Sequence, residues 1–178
     1  MTEESRRQLG EYVAGFHLPR YRELPDIGLR LEQLTRYTSR YVPTPLTGSM
    51  VSNYVKQHLI PGPVKKAYRQ ESIAYLMVLS YIKTAMSLED IRLLMQVQRR
   101  SYDLETAYDY FCAELENLLR YVCGLSPAPS EIGTTRTEEK ELLRTALFSI
   151  TYKLYMDQYL KFYREEESRL AAAAENAQ

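Results

Sequence analysis

Ser49, Ser52, Asn53, Lys56 and Gln57 fall at helical spacing on one face, and none of them carries negative charge. Hydroxyl, amide and ammonium groups in that arrangement can bond base edges and phosphate oxygens without repulsion. A solvated surface helix, the bland reading of the same spacing, is ordinarily richer in Glu and Lys. Further along, Lys65, Lys66 and Arg69 place three cations within five residues, with Tyr68 among them. Alone, such a run reads as a solvated loop. Directly after a polar-faced helix, it reads as a hairpin laid on a phosphate backbone.

The charge distribution points the same way. Formal net charge is zero, with 23 basic and 23 acidic residues, which excludes a uniformly basic nucleic-acid coat. Residues 33–70, however, hold six cations (Arg36, Arg40, Lys56, Lys65, Lys66, Arg69) and no Asp or Glu. Residues 101–178 hold eight basic and fourteen acidic residues. A neutral total therefore hides a charge dipole along the chain, and a local basic patch is what phosphate binding requires.

Those residues need a scaffold, and hydrophobic periodicity predicts a helical one. Glycine is scarce, at seven, and long alternating strand patterns are absent. A first helix is expected over 2–15, opened by Thr2, Glu3 and Glu4, with Leu9, Tyr12, Val13 and Phe16 as its stripe. An irregular segment with Pro19, Pro25 and Gly28 follows. Asp26 is read as the cap of a helix with Leu29, Leu31 and Leu34 inward, running to about Tyr41. Thr47 is a good N-cap for a helix over about 48–57, with Met50, Val51, Tyr54 and Val55 facing in. After Leu59-Ile60-Pro61-Gly62-Pro63 comes the basic wing, 64–69. Residues 70–84 read as a core helix, and Ser87 with Asp90 opens another by a capping-box arrangement.

Residues 102–123 carry an a/d seam: Leu104, Tyr108, Phe111, Leu115, Leu118 and Val122. Either helix pairing or a bundle core gives that pattern, and Gly124 ends it. The last helix is expected from Thr135 or Thr137 to about Leu170. It bears one stripe of Leu143, Leu147, Ile150 and Leu154, and a second of Phe148, Tyr152, Tyr155, Tyr159 and Phe162. Tyr152, Tyr155 and Tyr159 are a candidate effector pocket for a hydrophobic cation; bundle core or dimer interface is the favoured reading of the same rings.

Two resemblances appear at this point. Ser49 to Arg69 resembles the DNA-binding domain of MerR-type transcription regulators. Tyr54, then Leu59-Ile60-Pro61, then Tyr68-Arg69 fit that family's helix, turn and wing. Ile73 and Leu76, and then Ser87-Leu88-Glu89-Asp90-Ile91, fit what comes after. The family's first helix has no direct counterpart, and Leu29 to Tyr41 takes its place. Ser52 stands where Arg is usual. His58 stands where the family has glycine, at a position expected to need positive φ, and reads as a turn residue. In addition, residues 18–34 together with 50–68 look like a bacterial family catalogued as a domain of unknown function, number 1836. That resemblance covers roughly 18–123 and implies no established activity.

The expectation is an all-α chain. A MerR-like winged helix-turn-helix domain with an N-terminal helical extension spans 1–100, and a helical dimerisation or effector-sensing region spans 101–178. The expected function is sequence-specific transcription regulation. Thr47, Ser49, Ser52, Asn53, Lys56 and Gln57 would read the major groove, and Lys65, Lys66 and Arg69 would lie on phosphates; Tyr68 would either join them on DNA or pack under the wing. Tyr54 is read as core, and His17 as a loop residue without an evident partner. Expected partners are double-stranded DNA, a second copy of the chain and a small-molecule effector, with no membrane. Two His and two Cys leave little material for catalysis, so no enzyme, metal or cofactor is expected. Cys112 and Cys123 are too far apart on one helix to pair, which with the missing signal segment suggests the cytoplasm. The competing reading is a helical protein-interaction module that keeps this fold without binding DNA.

Overall fold

The computed structural model describes residues 3–133 and 136–175, with side chains up to Ala172. Thr2 and Thr135, both read above as helix-opening residues, lie outside the described set. Among the described residues there are seven α-helices: α1 (Glu3–Ala14), α2 (Leu31–Thr38), α3 (Gly48–Lys56), α4 (Gln70–Ile82), α5 (Leu88–Ser101), α6 (Leu104–Val122) and α7 (Glu138–Glu175). The all-helical class expected from periodicity is what the chain forms.

Most helix boundaries follow local chemistry. The Thr47, Ser87 and Asp103 side chains accept the amides of Met50, Asp90 and Thr106, opening α3, α5 and α6. Thr137 Oγ1 does the same for Lys140 at the start of α7. Gly124, at φ 76, closes α6, where the amides of Gly124 and Leu125 reach back to the carbonyls of Tyr121 and Arg120.

The start of α2 differs from the expectation. Asp26 does not cap it; the N-cap is Arg30. Leu29 exchanges both of its backbone hydrogen bonds with Tyr68, at 2.9 and 2.8 Å. An extended residue held at both ends cannot join a helix, so the helix begins after it. α2 also stops at Thr38 rather than Tyr41, where the Tyr41 amide turns back onto the Thr38 carbonyl.

α4 is the central element. Nine of its residues are buried, including Ile73, Leu76, Met77, Leu79 and Ile82. Each large apolar side chain removed from water there contributes roughly 2 kcal/mol. α4 packs against α2, α6 and α7, while α7 also packs against α1, α5 and α6. The core runs without a break from Val13 to Leu154. The α6 seam is consumed inside it: Tyr108, Phe111, Leu115 and Leu118 are essentially inaccessible. The bundle-core reading of that heptad therefore holds within the chain.

The segment before α2 is pinned to α6 by polar contacts. Arg20 grips Glu116 through two N–H groups, at 2.9 and 2.7 Å, and the Leu18 amide donates to the same carboxylate. Burial pushes the Glu116 carboxyl up, but these donors outweigh it and hold it below its ordinary value. His17 Nδ1 lies 3.2 Å from Glu116 Oε1, so the residue read as partnerless shares this cluster.

Candidate nucleic-acid interface

The candidate surface is built from α3 and the hairpin that follows it. Val51 and Tyr54 bury one side of α3, as expected for Tyr54. Ser49, Asn53 and Lys56 are exposed on the other, with Ser52 and Gln57 half-buried beside them. Thr47 is exposed at the N-cap, its hydroxyl 2.9 Å from that of Ser49. α3 packs on α2, and the nine-residue connection 39–47 between them is fixed at three points. Ser39 Oγ accepts the Leu46 amide, the Leu46 side chain is buried, and the Tyr81 hydroxyl donates to the Tyr41 carbonyl.

The end of α3 requires a left-handed residue. The His58 amide donates to Val55 and the Leu59 amide to Tyr54, which places His58 at φ 57. The positive φ expected at this position is present, and an imidazole tolerates it better than most side chains.

Val64 and Ala67 exchange both backbone hydrogen bonds, at 2.9 and 3.0 Å, leaving a two-residue turn of Lys65 and Lys66. Both sit at positive φ, 51 and 65. That is the geometry of a type I′ turn, for which Asn-Gly is the favoured pair. Two lysines there carry a strain of about 1 kcal/mol each, and they are exposed at the tip. The hairpin is tied back to the chain by the Leu29–Tyr68 bridge. Tyr68 is buried beneath it, and Arg69 is exposed at its base. Among the described residues, Lys56, Lys65, Lys66 and Arg69 have no carboxylate within ion-pair distance; Arg36, earlier in the same block, pairs with Glu32.

Three residues outside the sequence-derived set shape this surface. Arg92 of α5 donates to the Gln57 carbonyl at 3.4 Å, adding a cation at the end of α3. Lys83, the residue that caps the end of α4, donates to the Tyr54 hydroxyl at 3.1 Å. Gly28 lies against the hairpin, and a Cβ there would stand 2.8 Å from Ala67 Cβ. Gly28→Ala is expected to push the hairpin off Leu29 and cost about 1–2 kcal/mol, with Ala67→Gly restoring most of it. Chemical denaturation of the two single variants and the double variant checks this.

The remaining candidates lie elsewhere. Tyr152 is 55% exposed, and Tyr155 and Tyr159 are half-buried near the middle of α7. The rings of Tyr155, Tyr159 and Tyr163 stack along the helix at 6.3 and 6.5 Å, rather than converging on a cavity. Tyr152, Met156, Tyr159 and Tyr163 form a stripe spaced four, three and four residues apart. Burial pushes the Cys112 thiol up to about 12 and Cys123 up to about 11, so both stay protonated at neutral pH. No cluster of His, Cys, Asp or Glu suited to a metal occurs among the described residues, and no described helix is long and apolar enough to cross a membrane.

Comparison with known proteins gives one match. The model of a family described as a domain of unknown function (DUF1836) covers residues 19–111, from the segment before α2 into α6. No curated protein and no solved structure matches the chain.

Proposed function

The chain belongs to the DUF1836 family, and we propose that it is a duplex-DNA-binding transcription regulator built on a MerR-like winged helix-turn-helix. In this reading α2 and α3 are the helix pair, α3 lies in the major groove and the 64–69 hairpin rests on phosphates. The observation that carries it is the Lys65–Lys66 turn. Strained backbone persists where the surroundings enforce it and collects at functional sites. Here it holds two uncompensated ammonium groups at an exposed tip. The order of elements agrees: the extended residue Leu29, two helices, then a hairpin whose Tyr68 pairs back to Leu29.

Phosphate contacts position the protein, and base contacts specify sequence. Lys65→Glu with Lys66→Glu should therefore weaken binding to every duplex alike. Asn53→Ala should change which sequence is preferred. Fluorescence anisotropy on a random duplex pool, followed by sequencing of the retained fraction, separates the two effects. Unchanged affinity and unchanged preference in both variants would refute the assignment.

Homodimerisation belongs to the same proposal. Tyr152, Met156 and Tyr163, each about half exposed, give α7 an exposed apolar stripe. With about 57 Å of helix available at 1.5 Å per residue, α7 can pair with a second copy. Tyr152→Glu with Met156→Glu is expected to halve the mass seen by sedimentation velocity. A parent chain that is already monomeric would remove this part of the proposal. The same stripe also favours the second reading, a protein-interaction module without DNA binding, and the duplex titration decides between them.

A further inference from the structure

A second charged region lies away from the hairpin. The ends of α1 and α4, the α2–α3 connection and the middle of α7 enclose a groove of about 690 Å3. Arg40, Lys83, Lys153 and Lys161 line it, against a single acid, Asp157. Lys153 already holds Asp157, with Nζ 2.5 Å from both carboxylate oxygens. Arg40, Lys83 and Lys161 therefore face the groove with no carboxylate at ion-pair distance among the described residues. Aromatic rings stand beside them: Tyr12 and Phe16 from α1, and Tyr41 from the connection.

We propose that this groove binds a nucleotide, with its phosphates on Arg40, Lys83 and Lys161 and its flat ring against Tyr12, Phe16 and Tyr41. Three cations that neutralise no protein carboxylate match a ligand of two or more negative charges. The adjacent rings supply the stacking surface that inorganic phosphate cannot use. The volume falls within the range of small-molecule sites.

The groove also has a route to α3, and this part rests on the DNA-binding reading above. Lys83 Nζ bonds the hydroxyl of Tyr54, a buried residue of α3, and lies 5.7 Å from its ring centroid. A phosphate in the groove competes for that ammonium group. Drawing Lys83 away leaves the Tyr54 hydroxyl without its donor and loosens the inner face of α3. The two sites are then linked, each weakening the other by the same factor, typically 5- to 150-fold.

The first test needs no DNA. Isothermal titration of the full chain with ADP should give saturable one-to-one binding, and inorganic pyrophosphate should bind more weakly. Arg40→Gln with Lys161→Gln should weaken ADP by at least about tenfold. Thermal unfolding of this variant should be near that of the parent, because both side chains are exposed. Absence of saturable ADP binding, or ADP affinity unaffected by the double variant, overturns the site. The second test uses Tyr54→Phe, which keeps the buried ring and removes the hydroxyl. ADP should bind this variant at least as tightly as the parent, and should no longer alter its affinity for duplex DNA. If ADP still alters it, Lys83–Tyr54 is not the link. If Arg40→Gln with Lys161→Gln weakens DNA binding when no nucleotide is present, the groove is part of the DNA footprint and the proposal fails. A chain that binds ADP but no DNA keeps the site and loses only the function proposed for α3.

Discussion

Replacing Lys65 with Asn and Lys66 with Gly will stabilise the protein and impair it at the same time. Both positions have positive φ, at 51 and 65, closed by the Val64–Ala67 hydrogen-bond pair. Asn-Gly is the pair that a type I′ turn favours, so the substitution relieves strain without changing the backbone. The expected gain is about 1–2 kcal/mol, or roughly 2–8 °C in Tm for a chain of this length. The same change removes two ammonium groups from each hairpin tip, four in the proposed dimer. Duplex affinity should fall by roughly a hundredfold at moderate salt, with a shallower salt dependence. Opposite signs in the two measurements separate a functional turn from a merely tolerated one. A lower Tm would mean the turn is not strained. An unchanged affinity would mean that the hairpin does not touch DNA.

The second large effect lies in the bundle. Glu114 of α6 is wholly inaccessible, with Oε1 2.9 Å from Arg144 Nε of α7, at ion-pair distance but without a hydrogen bond's alignment. Arg144 is 15% exposed and also reaches Glu131 at 3.3 Å. Burial raises the Glu114 carboxyl above its usual range, and the Arg144 charge offsets part of that rise. Arg144→Met strands the carboxylate and should cost about 3–5 kcal/mol at neutral pH. Adding Glu114→Leu to Arg144→Met should recover most of the loss, since an apolar pair replaces a charge pair. The pH dependence has a definite sign. A carboxylate raised in the folded state is penalised above its folded pKa and relieved below it. The deficit of Arg144→Met relative to the parent should therefore shrink as pH falls from neutral toward the acid range. Denaturant melts across pH measure it; a constant deficit would contradict the assignment.

Helix formation was legible because its signals are local. Thr47 and Ser87 each accept the amide three residues on, and Gly124 donates its amide to Tyr121, as their sequence reading has it; Asp90 departs from the capping-box reading, because its carboxylate takes the Ser87 hydroxyl at 2.6 Å and not a backbone amide. The α6 seam was legible as a seam, but not its partner: Leu115 or Leu118 has the same spacing whether it faces α7 or another chain. Asp26 misled because Leu29 is claimed by Tyr68, 39 residues away, and a long-range backbone pair leaves no trace in local composition. The positive φ at His58 was readable from a resemblance, whereas that at Lys65 and Lys66 was not, since Lys-Lys is no turn signature. Arg92 and Lys83 joined the candidate surface only through folding, as cations on α5 and at the end of α4. Gly28 was visible only as a loop residue, because its role lies in what it touches.

Duplex-DNA affinity measured against salt is the direct test of phosphate binding by α3 and the hairpin. In the proposed dimer, two copies of Lys56, Lys65, Lys66 and Arg69 would present eight cations to phosphates. The logarithm of the binding constant should then fall against the logarithm of salt with a slope of about −7. Lys65→Glu with Lys66→Glu should flatten that slope markedly. A binding constant indifferent to ionic strength, or no duplex binding at low salt, would contradict the account.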